Sequence, residues 1–339
     1  MLASGPTLAR QKQALEGGKI MGADLVEGTL VHEVSAGMVQ VGSNPAHSVV
    51  FSGLSPIEVA WLHSLTDRKN RRVGNEAGNL SARQVEALHL LDAAGLLAAQ
   101  ENPMHKLRVR VVQMDEVGIR VAKLLAESRV AGIEIQDNER VGISTESLFP
   151  REHKGMPRAL SVRQVIKAIA PRTCTGKVAV PDVAVVCSDR VFDHGLLGRL
   201  LSFDTVHIPV VSDDRSILVG PLVVPGHTPC ALCLDLHCRD SSPGWEKRRD
   251  SLELTGPVPS VPHLAATAAG LAVGLISEVA SNGAQAAWSA ASAANRDLGE
   301  RESQASPASP IYRVTAAGVE THACFPHPEC GCLALAKVS

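Results

Sequence analysis

Leu107-Arg-Val-Arg-Val-Val112, Val117-Gly-Ile-Arg-Val-Ala-Lys-Leu-Leu125 and Ile133-Glu-Ile135 follow one another beyond Pro103, and the last run ends at Asp137. The outer two are short and rich in β-branched residues, as buried strands are, while the middle one spaces its apolar residues as a helix does. Strand, helix and strand in this order make a βαβ unit, because parallel strands need a crossover of a dozen or more residues between them. Val183 to Cys187, Val206 to Val211 and Ile217 to Val224 are further strand-like runs, and a helical segment lies near Val162 to Ile169. Residues 105 to 225 therefore read as one mostly parallel, Rossmann-like α/β sheet.

The rest of the chain is organised around that sheet. Upstream, Met38 to Val41 and Val49 to Phe51 form a hairpin across a Gly-Ser-Asn-Pro turn. Ser55-Pro56-Ile57-Glu58 and Ser81-Ala82-Arg83-Gln84 are capping boxes that each open a helix, the second with an apolar face through Val85, Leu88, Leu91 and Leu96. Residues 31–102 thus read as a small winged-helix-like α+β domain, preceded by a weakly structured 1–30. Downstream, the sheet domain spans 103–280. Val261 to Ala280, made of Ala, Gly, Thr and Val but carrying His263 and Glu278, reads as a buried helix rather than a membrane span. Residues 281–310, rich in Ala, Ser, Asn and Gln, read as frayed helix and then linker, and 311–339 as a C-terminal tail.

Composition narrows the functional classes. The 339 residues are 45% apolar but only 3% aromatic, which suits a core of Val, Leu, Ile and Ala. A formal charge of -2 provides no global attraction to nucleic acid or anionic membrane. The basic run Arg68-Lys-Asn-Arg-Arg72 lacks aromatic interleaving and reads as a solvated loop. A winged-helix DNA regulator is a further reading, opposed by the neutral charge and by a second helix whose first turns carry only Arg83. The first thirty residues have no apolar core of secretory length, so a cytoplasmic setting with reduced cysteines is expected.

Eight cysteines in such a setting point to metal rather than disulfides. Cys230-Ala-Leu-Cys233 and Cys330-Gly-Cys332 are two close pairs about a hundred residues apart, beside Pro and Gly turns. Four thiolates suit tetrahedral zinc, and the arrangement would pin the tail to the sheet. The C-x-C spacing of the second pair leaves Cys324 or His327 open as a substitute ligand. Cys174 and Cys187 read as packing residues, and His194, His207 and His263 as ordinary polar or core positions without a sequence-level partner.

The surroundings of the first pair, Gly220-Pro-Leu-Val-Val-Pro-Gly226-His-Thr-Pro-Cys230-Ala-Leu-Cys233, resemble the strand-turn-zinc knuckle of ThiF-type, ubiquitin-activating-enzyme-like proteins. The likeness covers about 105 to 335. It implies that Val111 to Leu125 is the nucleotide-binding strand, glycine loop and helix, with Gly118 the last glycine of the loop, and that Asp137 is the acid that holds a ribose. Arg158, in Gly155-Met-Pro157-Arg158-Ala159, stands where the family faces phosphate with a lysine. Asp189, in Cys187-Ser188-Asp189-Arg190, is similar to the acid that positions magnesium and the reacting carboxylate. The tail Leu-Asp-Leu-His237 of the knuckle, the terminal His327-Pro-Glu-Cys330-Gly-Cys332 and the winged region resemble an actinobacterial branch of leader-peptide-binding partners of azoline-forming cyclodehydratases. That branch implies a peptide or small protein as partner, bound as an added strand, and a homodimer formed across the sheet.

The sequence departs from the family at the loop. Where glycines let backbone N–H groups approach phosphate, it reads Gln113-Met-Asp115-Glu116-Val-Gly118, which places side chains and two carboxylates in the path of a triphosphate. ATP with magnesium is the cofactor the resemblance implies and this loop disfavours. The expected function is a catalytically reduced peptide-binding scaffold, with an active carboxylate-activating adenylyltransferase as the rival. Cys238, followed by Arg239, sits where some relatives carry a nucleophile, and reads otherwise as a half-buried cysteine.

Overall fold

A computed structural model describes residues 24–66, 80–98, 102–143, 145–259, 261–296 and 308–333. The chain divides into two compact units, Met1–Asn102 and Pro103–Ser339. The basic run from Arg68 to Arg72 lies outside the described residues.

In the first unit three antiparallel strands, β1 (Val31–Ser35), β2 (Met38–Val41) and β3 (Val49–Phe51), lie in sequence order beside two helices, α1 (Pro56–Ser64) and α2 (Ala82–Ala93). Both helices start where the capping boxes place them. Glu58 N donates to Ser55 Oγ and Ser55 N to Glu58 Oε2, and Gln84 and Ser81 exchange the same pair of bonds. Val39, Val41, Phe51, Leu62, Leu88 and Leu91 form the core. Two features go beyond the sequence pattern. β1 adds a third strand to the hairpin, and Leu25, buried and bridged to Leu97, ties part of the expected weakly structured N-terminus into this unit.

The second unit is built on a seven-stranded sheet. Its elements are β4 (Arg108–Val112), α3 (Glu116–Glu127), β5 (Gly132–Gln136), α4 (Arg158–Ile169), β6 (Val183–Asp189), α5 (His194–Ser202), β7 (Val206–Ser212), β8 (Ser216–Val219), α6 (Ala231–Ser241), α7 (Trp245–Glu253), α8 (Pro262–Arg296), β9 (Ser309–Thr315) and β10 (Gly318–Cys324). Strands run in the order β10-β9-β8-β7-β6-β4-β5. β5, β4, β6 and β7 are parallel and β8, β9 and β10 antiparallel, so the sheet is mixed. The expected run Ile217 to Val224 ends as a strand at Val219, because the chain turns at a left-handed Gly220, and only Val223 returns to pair with His207. The helix that starts at Pro262 breaks at a left-handed Gly283, φ 73°, near the start of the expected 281–310 stretch; a second helical piece runs on to Arg296, and β9 begins at Ser309.

Both faces of the sheet are covered at β6, which explains its unbroken apolar run. Along β6, Val183, Val185 and Cys187 join the core formed with α3, α4 and α8, while Ala184 and Val186 face α5 and α6. α8 lays Ala265, Ala268, Ala269, Ala272 and Ile276, all fully buried, against that core, where small side chains allow close approach. Its stretch Pro262–Ser281 is long and apolar enough to cross a membrane by composition, yet this fold packs it into the core.

The turn from β4 into α3 sets the tightest steric condition. Gln113 adopts a left-handed φ of 64°, and a Cβ added to Gly118 would meet the Gln113 carbonyl oxygen at 2.3 Å. Gly118→Ala is therefore expected to lower stability by about 1–3 kcal/mol, as overpacking does. On α8, a Cβ added to Gly274 would meet nothing within 4 Å, so Gly274→Ala is expected to add about 1 kcal/mol by helix propensity. Urea unfolding of the two variants checks both, and equal effects would contradict the assignment.

Candidate functional site

Chain order reverses across β4 and β6: β5 follows on one side of β4, and β6 and β7 on the other. In open α/β sheets this switch point opens a crevice at the carboxyl ends of the strands. A cavity of about 2080 Å³ lies there, lined by Gln113 and Asp115 after β4, Asp137 after β5, Arg158 at the start of α4, and Asp189 at the end of β6. Three residues singled out from the sequence, Asp137, Arg158 and Asp189, thus share its wall, and Gly118 lies in the first turn of α3 beside it.

Asp137 and Arg158 are bonded to each other, and the remaining bonds go to neighbouring loop residues. Asp137 Oδ2 accepts from Met114 N and lies 3.0 Å from the Arg158 guanidinium, and Oδ1 accepts from Glu139 N at 2.6 Å. Asp115 caps α3 by accepting from Gly118 N at 2.7 Å. Two amides of the loop, Met114 and Gly118, are therefore already bonded to carboxylates of the chain itself. Asp189 is held less tightly, with Gln113 Nε2 and Val258 N each 3.4 Å from one of its oxygens. Burial raises its carboxyl above the usual range.

Two expectations about the loop need correction. Met114 does not stand in the crevice: it is fully buried and belongs to the core beneath the sheet. At the end of a strand one residue's alternation decides between core and crevice, and Met114 falls on the core side. Nor are both carboxylates uncompensated. Glu116 is paired with Arg120 one turn on, and burial pushes the Asp115 carboxyl up to about 7, with the nearby Asp189 charge adding to it.

The four cysteines form the second centre. Cys230 caps α6 and Cys233 lies in its first turn, while Cys330 and Cys332 come from the tail. Sγ atoms of Cys230 and Cys330 are 3.7 Å apart, those of Cys233 and Cys332 3.4 Å, and all four lie within 4.8 Å of one another. A tetrahedron with metal–sulfur bonds of about 2.3 Å has edges of about 3.8 Å, so the cluster fits one four-coordinate ion with no open position. The substitutes left open by the spacing are settled by their own bonds. His327 accepts from Glu329 N at Nδ1 and meets Asp240 Oδ2 at 2.9 Å through Nε2, which leaves neither nitrogen for a metal. Cys324 lies outside the cluster, buried against the Phe325 carbonyl.

Other cysteines and histidines divide clearly. Burial, then Asp235, raises the Cys238 thiol against the opposing pull of Arg313 and Arg248, and Arg239 is bonded to Asp240 and Glu329. Cys187 is core, as read, but Cys174 is exposed at a bridge to Gly132 rather than packed. Burial pushes His207 down to about 4. His194 lines the crevice and has a partner invisible in the sequence, Asp235, 41 residues away.

No protein-family model matches the chain, and no curated protein matches it. Solved structures do. E. coli MccB with ATP superposes with a TM-score of 0.62 at 13% identity, covering 93% of this chain and 100% of that one. The microcin C7 biosynthetic enzyme MccB in complex with N-formylated MccA gives 0.61 at 13% identity over 92% and 100%. Selenomethionine PaaA gives 0.53 at 11% identity over 88% and 98%. At such identities the likeness is one of fold, and it extends over nearly the whole chain.

Asp115 makes the site's effect on stability testable. Its folded carboxyl is raised to about 7 from 3.8 by burial, so the folded state holds a proton that the unfolded chain releases. The contribution favours folding below about pH 4 and is lost as pH rises through about 7. Asp115→Asn keeps the cap to Gly118 N and removes the titration. It is expected to be more stable than the parent by on the order of a few kcal/mol at pH 8 and equal to it at pH 4. Urea midpoints across that range check this, and a gap that widens at low pH would refute it.

Proposed function

We propose that the chain is a ThiF-like, zinc-bearing protein of peptide modification that docks its peptide on the N-terminal unit and is reduced in nucleotide chemistry. The observation that carries the reduced reading is the loop itself. Amides that would cradle phosphate bond to Asp137 and Asp115, and Asp137 is also paired with Arg158. Binding a triphosphate would require breaking these bonds first. Support for a peptide partner comes from the fold, shared with a biosynthetic enzyme solved in complex with N-formylated MccA.

The N-terminal unit has the surface such a partner needs. β3 pairs with β2 alone among the described residues, so one edge is free to accept an extended chain. Beside it lies a groove of about 200 Å³ lined by Val50, Leu54, Trp61 and Leu90, with Glu58 and Arg83 along it. Val50 and Leu90 are 57% and 48% exposed, which gives an incoming strand apolar anchors beside its main-chain bonds. Arg83 is held by Glu58 and the Gly53 carbonyl, an arrangement suited to this groove rather than to DNA phosphate. A cytoplasmic setting, a homodimer and a cyclodehydratase as neighbouring enzyme belong to the same proposal.

The adenylyltransferase reading keeps one observation in its favour. Asp137, Arg158 and Asp189 meet at the switch point of a fold that MccB displays with ATP. Were a nucleotide bound, Asp137 and Arg158 would hold it and Asp189 would be the residue to position a magnesium ion.

Zinc is the metal that four thiolates favour, and its role here would be to fasten the tail to α6. Purification without chelator is expected to give one equivalent of zinc per chain. Cys233→Ser should reduce that below half an equivalent and expose the tail to protease; a zinc-free parent would contradict the site.

Calorimetry separates the two functional readings. The full chain is expected to show no heat with ATP and magnesium, but to bind the N-terminal segment of a Cys-, Ser- and Thr-rich precursor peptide, with amide shifts confined to residues 24–98. Leu90→Glu should weaken that binding at least tenfold without changing thermal unfolding. Micromolar ATP binding abolished by Asp189→Ala would establish the adenylyltransferase instead, and peptide shifts clustered at Asp137 and Asp189 would move the docking surface to the crevice.

A further inference from the structure

The crevice has a wall that neither the loop nor the cysteine cluster explains. α5 begins there, with Asp193 accepting from Leu196 N at 2.8 Å as its cap and His194 as its first residue. His194 Nε2 lies 3.2 Å from Asp235 Oδ2. Asp235 is 5% exposed and has two further donors, Trp245 Nε1 at 2.7 Å and an Arg249 guanidinium nitrogen at 3.1 Å. A carboxylate with three donors around it acts only as an acceptor. In the neutral imidazole the ring proton therefore sits on Nε2 and the lone pair on Nδ1.

Nδ1 has no hydrogen-bond partner among the described residues, and it is not one of the buried atoms left unpaired. The side chain keeps 31% exposure and lines the crevice, so the unpaired nitrogen is the open one. Charged groups next to the imidazole are Asp193, the cap of α5, Asp235 on α6 and, through the same Asp235 oxygen, Arg249 on α7. An imidazole oriented by a buried carboxylate, with its second nitrogen facing a cavity, is the arrangement by which proteins take a proton from a bound ligand.

We propose that His194 and Asp235 form an acid–base pair that serves the crevice, with Nδ1 accepting the proton of a thiol or hydroxyl on a peptide held there. The step moves one proton. The S–H or O–H bond breaks, its electron pair stays on sulfur or oxygen as a nucleophile, and the proton forms a bond to Nδ1. The resulting imidazolium is stabilised by Asp235 and returns the proton to water. The ligand class rests on the peptide reading above, whereas the state of the pair does not. A purely structural brace between α5 and α6 would satisfy the His194–Asp235 contact without needing a bare nitrogen on the crevice side.

The test uses the full chain labelled with ¹⁵N. Long-range proton–nitrogen spectra at neutral pH are expected to show His194 as the Nε2–H tautomer. Diethylpyrocarbonate should modify His194 at least tenfold faster than the buried His207, as mapped by mass spectrometry. Asp235→Asn, checked for fold by circular dichroism, should slow that modification at least threefold. His194→Gln keeps a donor toward Asp235, so its thermal midpoint should stay within a few degrees of the parent while the fast-reacting signal disappears. The N-terminal segment of a Cys-, Ser- and Thr-rich precursor together with its following Cys and Ser residues is then titrated in. Amide shifts in residues 24–98 report docking, and slowed modification of His194 reports entry into the crevice. Docking with protection supports the pair. Docking without protection, or an Nδ1–H tautomer in the free protein, overturns it. Absence of docking overturns the peptide reading, and the pair is then decided by tautomer and modification rate alone. If Asp235→Asn fails to fold, the tautomer of the parent and the His194→Gln variant still decide.

Discussion

The Asp137 carboxylate sits where three parts of the second unit converge. It receives the amide of Met114 after β4 and that of Glu139 after β5, and it faces the Arg158 guanidinium that begins α4, with only 1% of its own side chain exposed. A buried carboxylate needs such partners, since desolvating it without them would cost several kcal/mol. The same bonds fix the spacing of the two strand ends and therefore the width of the crevice. The left-handed turn at Gln113 and the close approach of Gly118 to its carbonyl lie next to this frame, between its Met114 amide and the start of α3. A ligand that competed for Asp137 would have to rebuild the loop as well as displace Arg158.

Two centres of different character share the sheet. At the crevice, charged groups are arranged in pairs that satisfy one another but remain beside open space. At the cysteine cluster, four like groups converge with no open position. α6 belongs to both, since its cap and first turn carry Cys230 and Cys233 and the next turn carries Asp235, the partner of His194, Trp245 and Arg249. The orientation of a crevice side chain is thus anchored on the helix that the cluster fastens.

Legibility in the sequence follows local physics. β6 can be read because a strand buried on both faces leaves an unbroken apolar run, β4 and β5 because Val and Ile alternate with Arg and Glu, α3 because its apolar residues recur at helical spacing, and both N-terminal helices because a capping box is a signal of four residues. β1 and β10 escape for the converse reason: their side chains are mostly exposed and carry no apolar alternation. The two cysteine pairs are legible from spacing, but only the packing of the tail excludes Cys324 and His327 from the quartet, and the grouping of Asp137, Arg158 and Asp189 is legible from resemblance. Met114 is easily misplaced because strand-end alternation is decided by a single residue. His194 looks ordinary in the sequence because nothing local links position 194 to position 235; only the packing of α5 on α6 brings the two together.

The order of β8 and β9 has a consequence for how the chain is made. β8 is an interior strand whose second partner, β9, is encoded about ninety residues later, after three helices. At the usual pace of synthesis that interval is on the order of 5–20 s. During it the parallel half of the sheet can already assemble, but Ser216 to Val219 presents an unpaired edge next to a newly formed core. Cys230 and Cys233 likewise wait, as half of the four-cysteine cluster, for the tail. A nascent chain of this protein therefore passes through a stage with both an open strand and an incomplete thiol pair, and the emergence of β9 and then of Cys330 and Cys332 closes them in turn. Truncation just after α8 would arrest it there, in the form most prone to pair with a neighbouring chain.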